Sequence, residues 1–174
     1  MRNPSAKMIA VAIVAIAAAV LSGVSAQAGQ RTQEEANKKL VRDFYNALED
    51  TQAAGEMKTK GRSLIEKYIA PDYIQHRPGQ QSGREAMVRN TENAPALPAG
   101  APTHSKLVAI LGDGDLVVQV TDRGLPDPVT GAPRHALIWN MFRIKNGKLA
   151  EHWDALPEGM KGPPPSPGVP PPGR

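Results

Sequence analysis

The chain has 174 residues, no cysteine and a formal net charge of +4 at pH 7. The absence of cysteine excludes disulfides and thiol catalysis. So small a positive charge, without a cluster of basic residues, argues against nucleic acid as a partner.

The N-terminus has the three parts of a secretory signal peptide. Arg2 and Lys7 precede the apolar run Met8–Leu21, and Ala26–Ala28 supplies an A-x-A cleavage site. The apolar core of about 14 residues is shorter than the roughly 20 that a membrane span needs. We therefore expect residues 1–28 to be removed on export to the periplasm or the medium. The mature chain would carry a net charge of +2 and no membrane span.

Three capping boxes predict three helices, which begin at Thr32, Ser63 and Ser82. An apolar stripe at helical spacing marks the first helix and consists of Leu40, Val41, Phe44, Ala47 and Leu48. The polar residues 50–62 are predicted to form a loop before the second helix. Pro71 ends the second helix, and the third is expected to end near residue 90.

Strand patterns replace helical ones after residue 103. The predicted strands are His104–Leu111, Leu116–Asp122, Ala136–Ile144 and Lys148–Ala155. Asn146-Gly147 between the last two predicts a type I′ hairpin turn, in which both central residues have positive φ. Residues 72–78 are predicted to form a short extended segment. Residues 123–134 are predicted to form a long excursion, that is, a loop between strands. Residues 157–174, with eight prolines, are predicted to be a disordered tail.

Helices followed by about four antiparallel strands indicate an α+β domain over residues 29–156, with the helices on one face of a curved sheet. Such a sheet encloses a cone, and a cone is a ready pocket. Along the last strand His152 and Asp154 share one face, while Glu151 and Trp153 share the other. Asp154 is therefore a candidate base with His152 as its partner. The alternatives are a salt bridge for the carboxylate and a structural role for the histidine.

Five segments carry a family resemblance, namely Phe44–Asn46, Tyr73–His76, Gly83–Glu85, Gly112–Val117 and Phe142–Asp154. With these segments in this order, the chain resembles the SnoaL-like polyketide cyclases of the NTF2-like superfamily, which share a cystatin-like α+β cone. The similarity spans residues 33–156. It implies three N-terminal helices packed on a curved, mostly antiparallel sheet.

The resemblance also implies an active site inside the cone and a homodimer. The best-known members catalyse a cofactor-free aldol cyclisation, in which an acidic side chain removes a proton next to a carbonyl. We place three catalytic residues there, Asp154, His152 and His76. The pocket residues that we place beside them are Tyr45, Tyr73, Trp139 and Asn140. Asn140 is a departure, because close relatives commonly have an acid there and an amide cannot titrate.

Two functions remain open at this stage. The first is an exported, cofactor-free lyase or isomerase that removes a proton α to a carbonyl of a small, apolar substrate. The second is a non-catalytic cone that binds a small molecule or dimerises through its sheet. Asn140 and the export signal favour the second, since polyketide cyclisation is normally cytoplasmic. No histidine pair has close metal-ligand spacing, so neither function is expected to use a metal.

Overall fold

The computed structural model describes the backbone of residues 4–97, 100–124, 130 and 135–155, and side chains from residue 27 onward. The predicted tail 157–174 and most of the predicted excursion 123–134 lie outside the described residues. So do nearly all side chains of the predicted signal peptide, residues 1–28. No helix within the part of the chain that was described is both long enough and apolar enough to cross a membrane.

Three helices and five strands lie in the described part of the chain. In chain order they are α1 (Pro4–Ala53), α2 (Met57–Tyr68), β1 (Ile69–Gln75), α3 (Arg84–Glu92), β2 (Lys106–Asp113), β3 (Leu116–Asp122), β4 (Leu137–Lys145) and β5 (Lys148–Ala155). The strands form one sheet in the order β1-β5-β4-β3-β2, antiparallel except for the parallel pair β1 and β5. The predicted α+β architecture is confirmed. The extended piece predicted at residues 72–78 supplies part of β1.

The helices pack on one face of this sheet, which we call the inner face; the opposite one is the outer face. Phe44 of α1 meets Phe142 of β4 with ring centroids 6.3 Å apart, and Tyr68 of α2 lies 5.6 Å from Phe44. Phe44 belongs to the apolar stripe that the sequence predicts. Burying each such side chain stabilises the fold by about 1.5–3 kcal/mol. The inner face is therefore the interior of the domain.

Two helix starts differ from the prediction. Thr32 lies inside α1, where its hydroxyl donates to the carbonyl of Ala28 (3.0 Å), and Ser63 lies inside α2, where its hydroxyl donates to Lys60 (2.9 Å). Serine and threonine make such backward bonds to the preceding turn in helix interiors, so the capping pattern is ambiguous. Because Ser63 is not the start of α2, the predicted loop 50–62 is mostly helical. The helix α2 begins six residues before Ser63.

The third helix begins close to its predicted position but without a side-chain cap. Gly83, with φ of 95°, precedes Arg84, the first residue of α3. The predicted capping residue Ser82 instead accepts a hydrogen bond from the backbone N–H of Gln75 (3.1 Å). Ser82 therefore ties the start of α3 to the end of β1.

The hairpin between β4 and β5 places the last strand in register. Asn146 and Gly147 have φ of 52° and 68°, which confirms the predicted turn. A bulge follows, because Ile144 pairs with Leu149 while Arg143 pairs with Glu151. The bulge absorbs one residue of β5, so that the strand residues beyond it alternate between inner and outer faces in step with β4.

Gly147→Ala tests the demand of this turn for positive φ. A side chain in the left-handed region costs about 1–2 kcal/mol, so the free energy of unfolding in urea should fall by roughly that amount. Asn146→Gly is the matched control at the adjacent position, and it should leave stability nearly unchanged. Equal stability of Gly147→Ala and the wild type would contradict the turn geometry.

Candidate active site on the inner face

Three adjacent strands place polar side chains side by side on the inner face. Asn140 of β4 pairs with Gln119 of β3 on one side and with Asp154 of β5 on the other. His152 pairs with Phe142, one step along the same face. Opposing side chains of neighbouring strands lie about 4.5–5.5 Å apart at Cβ, so these groups form one patch. The patch is deeply buried, since Gln119 is 3 % exposed and Asn140 6 %.

Gln75, the last residue of β1, and Arg77, just beyond it, complete the patch. Gln75 pairs with His152 in the parallel β1–β5 ladder, and the backbone N–H of His76 donates to the carbonyl of His152 (2.9 Å). This pairing carries the chain over the end of β5 and brings Arg77 to Asp154. We call the six residues of the patch the inner polar cluster: Gln75, Arg77, Gln119, Asn140, His152 and Asp154.

His152 is held as a neutral imidazole inside this cluster. Its ring stacks on Phe142, with centroids 4.4 Å apart and planes 9° apart. Burial, and to a smaller extent the nearby positive charge of Arg77, together lower the pKa of His152 from 6.5 to about 3. At neutral pH the ring therefore has one N–H donor and one acceptor nitrogen.

A chain of hydrogen bonds fixes which nitrogen of His152 is the donor. The backbone N–H of Arg77 donates to Oε1 of Gln75 (3.1 Å), which orients the Gln75 amide. Its Nε2 then donates to Nδ1 of His152 (3.1 Å), and Nε2–H of His152 donates to Oδ1 of Asn140 (2.9 Å). We call this chain the amide–imidazole relay. It leaves Nδ2 of Asn140 as a donor that has no partner among the described residues.

Asp154 is paired with Arg77 and not with a histidine. Nε of Arg77 lies 2.9 Å from Oδ1 of Asp154, and a terminal guanidinium nitrogen contacts Oδ2. The Asp154 side chain is only 3 % exposed. Burial lowers the pKa of Arg77, but the two-pronged contact stabilises both charged forms. The predicted link between Asp154 and His152 is absent among these contacts, and each has its own partner in the cluster.

Aromatic side chains flank the cluster where the sequence places Tyr45 and Tyr73. The Tyr45 ring lies 6.0 Å from Phe142, and Tyr73 is buried with its hydroxyl 3.4 Å from Nε2 of Gln75. Burial raises the pKa of both phenols, so they are neutral donors at ordinary pH. The Tyr45 hydroxyl has no hydrogen-bond partner among the described residues. Tyr73 belongs to the hydrophobic core beside the cluster, and Tyr45 packs against that core.

The cluster has hydrogen-bond capacity that the protein itself does not use. Oε1 of Gln119 is fully buried and, within the described ranges, accepts no hydrogen bond. Nδ2 of Asn140 and the hydroxyl of Tyr45 likewise lack partners in that part of the chain. More than nine-tenths of buried polar groups in native proteins are satisfied, so the fully buried Oε1 of Gln119 needs an explanation. A bound molecule or ordered water on the inner face would supply it.

The structure does not bring His76 and Trp139 to this cluster, which corrects their predicted placement. The His76 ring stacks on Trp153, with centroids 4.1 Å apart, and its Nε2 lies 2.9 Å from Glu151. Trp139 is 51 % exposed. Both lie on the outer face, because successive strand residues alternate and the neighbours of Trp139 and Trp153 point inward.

Sequence reasoning missed Arg77, Gln75 and Gln119. Gln119 had a signal, because a glutamine between valines in β3 shares the buried face of Val117 and Thr121. The sequence carries no comparable signal for Gln75 or Arg77. Their roles depend on a parallel pairing with residues 77 positions later in the chain.

A separate cavity of about 320 Å³ lies where the two hairpin turns meet α1. Its lining consists of Gln33, Asn37, Gly114, Asp115, Ile144, Asn146 and Gly147. The Asn37 amide here is already paired at both ends, because it donates to the carbonyl of Gly114 (3.0 Å) and accepts from Gln33 (3.0 Å).

Comparisons with known proteins agree with this architecture. A family model described as the SnoaL-like domain matches residues 41–152. A candidate ketosteroid isomerase from Kribbella flavida DSM 17836 is similar in structure, with 17% identity, a TM-score of 0.50 and coverage of 75% of this chain and 84% of that one. Bal32a, from a soil-derived mobile gene cassette, has 20% identity, a TM-score of 0.50 and coverage of 72% and 92%. No curated protein matches in sequence. At these identities the structural likeness establishes the fold alone.

Neutral His152 makes stability depend on pH. Its folded pKa of about 3 lies below its ordinary 6.5, so protons bind the unfolded state more strongly. Its contribution is therefore fully present above pH 6.5 and is lost as pH falls toward 3, by about 1.4 kcal/mol per pH unit. His152→Gln should remove this slope between pH 6.5 and 4.5 in urea titrations. His104→Gln, an exposed control, should keep it; equal slopes in wild type and His152→Gln would contradict a buried, neutral ring.

Proposed function

Because this chain belongs to the SnoaL-like domain family, we propose that its inner polar cluster binds a small, mostly apolar carbonyl compound. We propose that the bound compound undergoes cofactor-free proton transfer at the carbon next to the carbonyl, as in a lyase or isomerase. The family and the cone fold allow many functions, so the proposal rests on the site itself.

The observation that carries the proposal is the unused hydrogen-bond capacity of the buried cluster. An unsatisfied buried group costs about 1–3 kcal/mol, and Oε1 of Gln119 is such a group in an empty domain. The buried Arg77–Asp154 pair adds a desolvation cost that apolar side chains would avoid. Ligand binding accounts for both, because a ligand would satisfy the free amides and use the charged pair.

Asp154 is the proposed base. Proton transfer from the α-carbon to a carboxylate oxygen of Asp154 would leave an enolate, whose oxygen Nδ2 of Asn140 is placed to stabilise as a hydrogen-bond donor. His152 does not exchange a proton in this step, because burial keeps it neutral. It positions Asn140. Phe142 and Tyr45 provide apolar walls for the rest of the molecule.

A second candidate function is binding without chemistry. Both carboxylate oxygens of Asp154 are engaged by Arg77, which stabilises the ionised form and reduces its tendency to accept a proton. Asn140, which cannot titrate, provides no second acid. In this case the ion pair serves only to shape and polarise the ligand site.

Asp154→Asn separates the two functions. The probe is 2-tetralone, whose exchange of α-protons in D₂O is followed by proton NMR, with binding measured by calorimetry. Loss of a general base should lower the enzyme-dependent exchange rate by about 10²–10⁴-fold, with binding retained. Asp115→Asn, at a surface carboxylate that pairs with Arg143, is the control and should exchange at the wild-type rate. Binding without exchange in the wild type would favour the second function, and wild-type exchange by Asp154→Asn would exclude Asp154 as the base.

We also propose that the outer face pairs with a second copy of the chain. Leu111, Val118, Met141 and Trp153 form a cross-strand row there. Leu111 is 65 % exposed, and Trp139, half exposed, lies in the neighbouring row. The other three members of the row are half-buried, so the row is an apolar surface strip with two well-exposed side chains beside or at its end, a feature that marks interaction surfaces in soluble proteins.

Trp139→Lys should weaken this homodimer, because it places a charge in the proposed apolar interface. Light scattering coupled to size exclusion should show a dimer mass for the wild type and a monomer mass for the variant. Ala53→Lys, at an exposed position at the end of α1, should keep the dimer mass. A monomeric wild type would overturn the proposal, and so would a dimer that tolerates Trp139→Lys.

A further inference from the structure

We propose that the free edge of β2 is a docking site for an extended segment of another polypeptide, which adds a strand to the five-stranded sheet. The chemistry of the edge defines this partner. It is a run of apolar residues with a basic residue at its N-terminal end and an acidic residue at its C-terminal end. The inference goes beyond the proposed function, because it uses backbone groups at the rim of the sheet and not the inner polar cluster.

Of the two edge strands of the sheet, β1 is covered and β2 is open. On β1 the backbone N–H of Gly83 donates to the carbonyl of Tyr73 (2.7 Å), and the N–H of Gln75 donates to the hydroxyl of Ser82 (3.1 Å). In the described part of the chain, β2 pairs with β3 on one side and with no strand on the other. Its alternate N–H and C=O groups are therefore open to a partner strand.

The strand β2 is apolar and yet exposed. Each of the other four strands has buried residues, whereas no residue of β2 is buried. Val108 is 53 % exposed and Leu107 is 42 % exposed. Charged residues, prolines and bulges protect edge strands from pairing, but residues 107–112 contain no charge and no proline, and have a bulge between Leu107 and Ala109. Such an edge is the kind to which an extended peptide adds.

Two charges at the ends of β2 define the ends of the partner. Lys106 begins the strand and Asp113 ends it, and both are exposed. An antiparallel segment brings its N-terminal end to Asp113 and its C-terminal end to Lys106, and antiparallel pairing is slightly more stable than parallel pairing. A basic residue at the N-terminal end of the segment and an acidic residue at its C-terminal end would therefore complete two ion pairs.

The helix α1 favours a single extended segment over a second copy of this chain. A Cβ atom at Gly112 would lie 3.5 Å from Cβ of Glu34 and 3.4 Å from Cγ of Lys38, and Glu49 accepts from the hydroxyl of Ser105 (2.7 Å) just before β2. Thus α1 follows β2 along its whole length. A second copy would bring its own α1 to the same place, although adjacent strands are about 4.8 Å apart and packed helices need about 8–10 Å. A segment without a helix avoids this conflict.

The test uses the full chain and the peptide KVTVTVTE with blocked termini, which matches the eight residues of β2 and has the required charges at its ends. Binding is followed by fluorescence anisotropy of the labelled peptide, and backbone amide exchange by NMR. Because Asp113 and Leu116 close a two-residue turn, Ile110 and Gly112 are residues whose N–H groups face the free edge. At about ten times the Kd, exchange of these two amides should slow roughly tenfold, since only the free fraction exchanges. The amides of β4 should not change.

Two variants test the edge itself. Val108→Lys should weaken binding by about tenfold or more, because a lysine on an edge strand opposes the addition of another strand. Ile74→Lys, at an exposed apolar position of the covered strand β1, is the matched control and should bind like the wild type. Asp113→Asn removes one exposed ion pair and should weaken binding about twofold to fivefold. The peptide QVTVTVTE, which lacks the basic residue, should bind Asp113→Asn and the wild type equally.

The results that would overturn the proposal are distinct. They are failure of the wild type to bind the peptide, binding that leaves the exchange of the Ile110 and Gly112 amides unchanged, and wild-type affinity of Val108→Lys. Protection of the same two amides without peptide, increasing with protein concentration, would show a second copy at the edge and would also overturn it. Slower exchange at both amides, with the loss of affinity confined to the variants in β2, would support it.

Discussion

The hydrogen bonds of the His152 ring set the hydrogen-bonding polarity of the inner face. Burial against Phe142 keeps the ring neutral, and only a neutral ring accepts from Gln75 while donating to Asn140. A protonated ring would donate from both nitrogens and conflict with the Gln75 amide. The polarity of Asn140, on which the proposed carbonyl binding rests, therefore depends on the dielectric environment of one imidazole.

The parallel pairing of β1 with β5 supplies the other components. It orients Gln75 through the backbone of Arg77 and sets the guanidinium against Asp154. One short ladder thus fixes an uncharged relay and a charged pair on the same buried surface. The two differ in their free-energy cost of burial. The hydrogen-bonding groups inside the relay are paired with one another, whereas burying the ion pair costs desolvation free energy. The unmet capacity lies at the edge of this network, at Gln119 and Nδ2 of Asn140, which is where a ligand would meet it.

Local chemistry made much of the fold predictable. Asn146-Gly147 determined the hairpin, and strand alternation placed His152 and Asp154 on one face, as observed. Strand alternation also puts the adjacent residues Trp139 and Asn140 on opposite faces, so the prediction that both line one pocket was wrong for Trp139. The partners of Asp154 and His152 were not predictable, because Arg77 and Gln75 approach through a pairing distant in sequence. Gln119 was overlooked since a glutamine among valines signals burial and not a missing hydrogen-bond partner.

The direction of the relay is the central claim, and the protonation state of His152 tests it most directly. Long-range ¹⁵N–¹H correlation NMR of the imidazole ring at neutral pH distinguishes the two neutral tautomers from the imidazolium ion. The structure predicts a neutral ring with the proton on Nε2 and a bare Nδ1. An imidazolium, or a proton on Nδ1, would contradict the relay and remove the basis for treating Asn140 as the donor that faces the ligand.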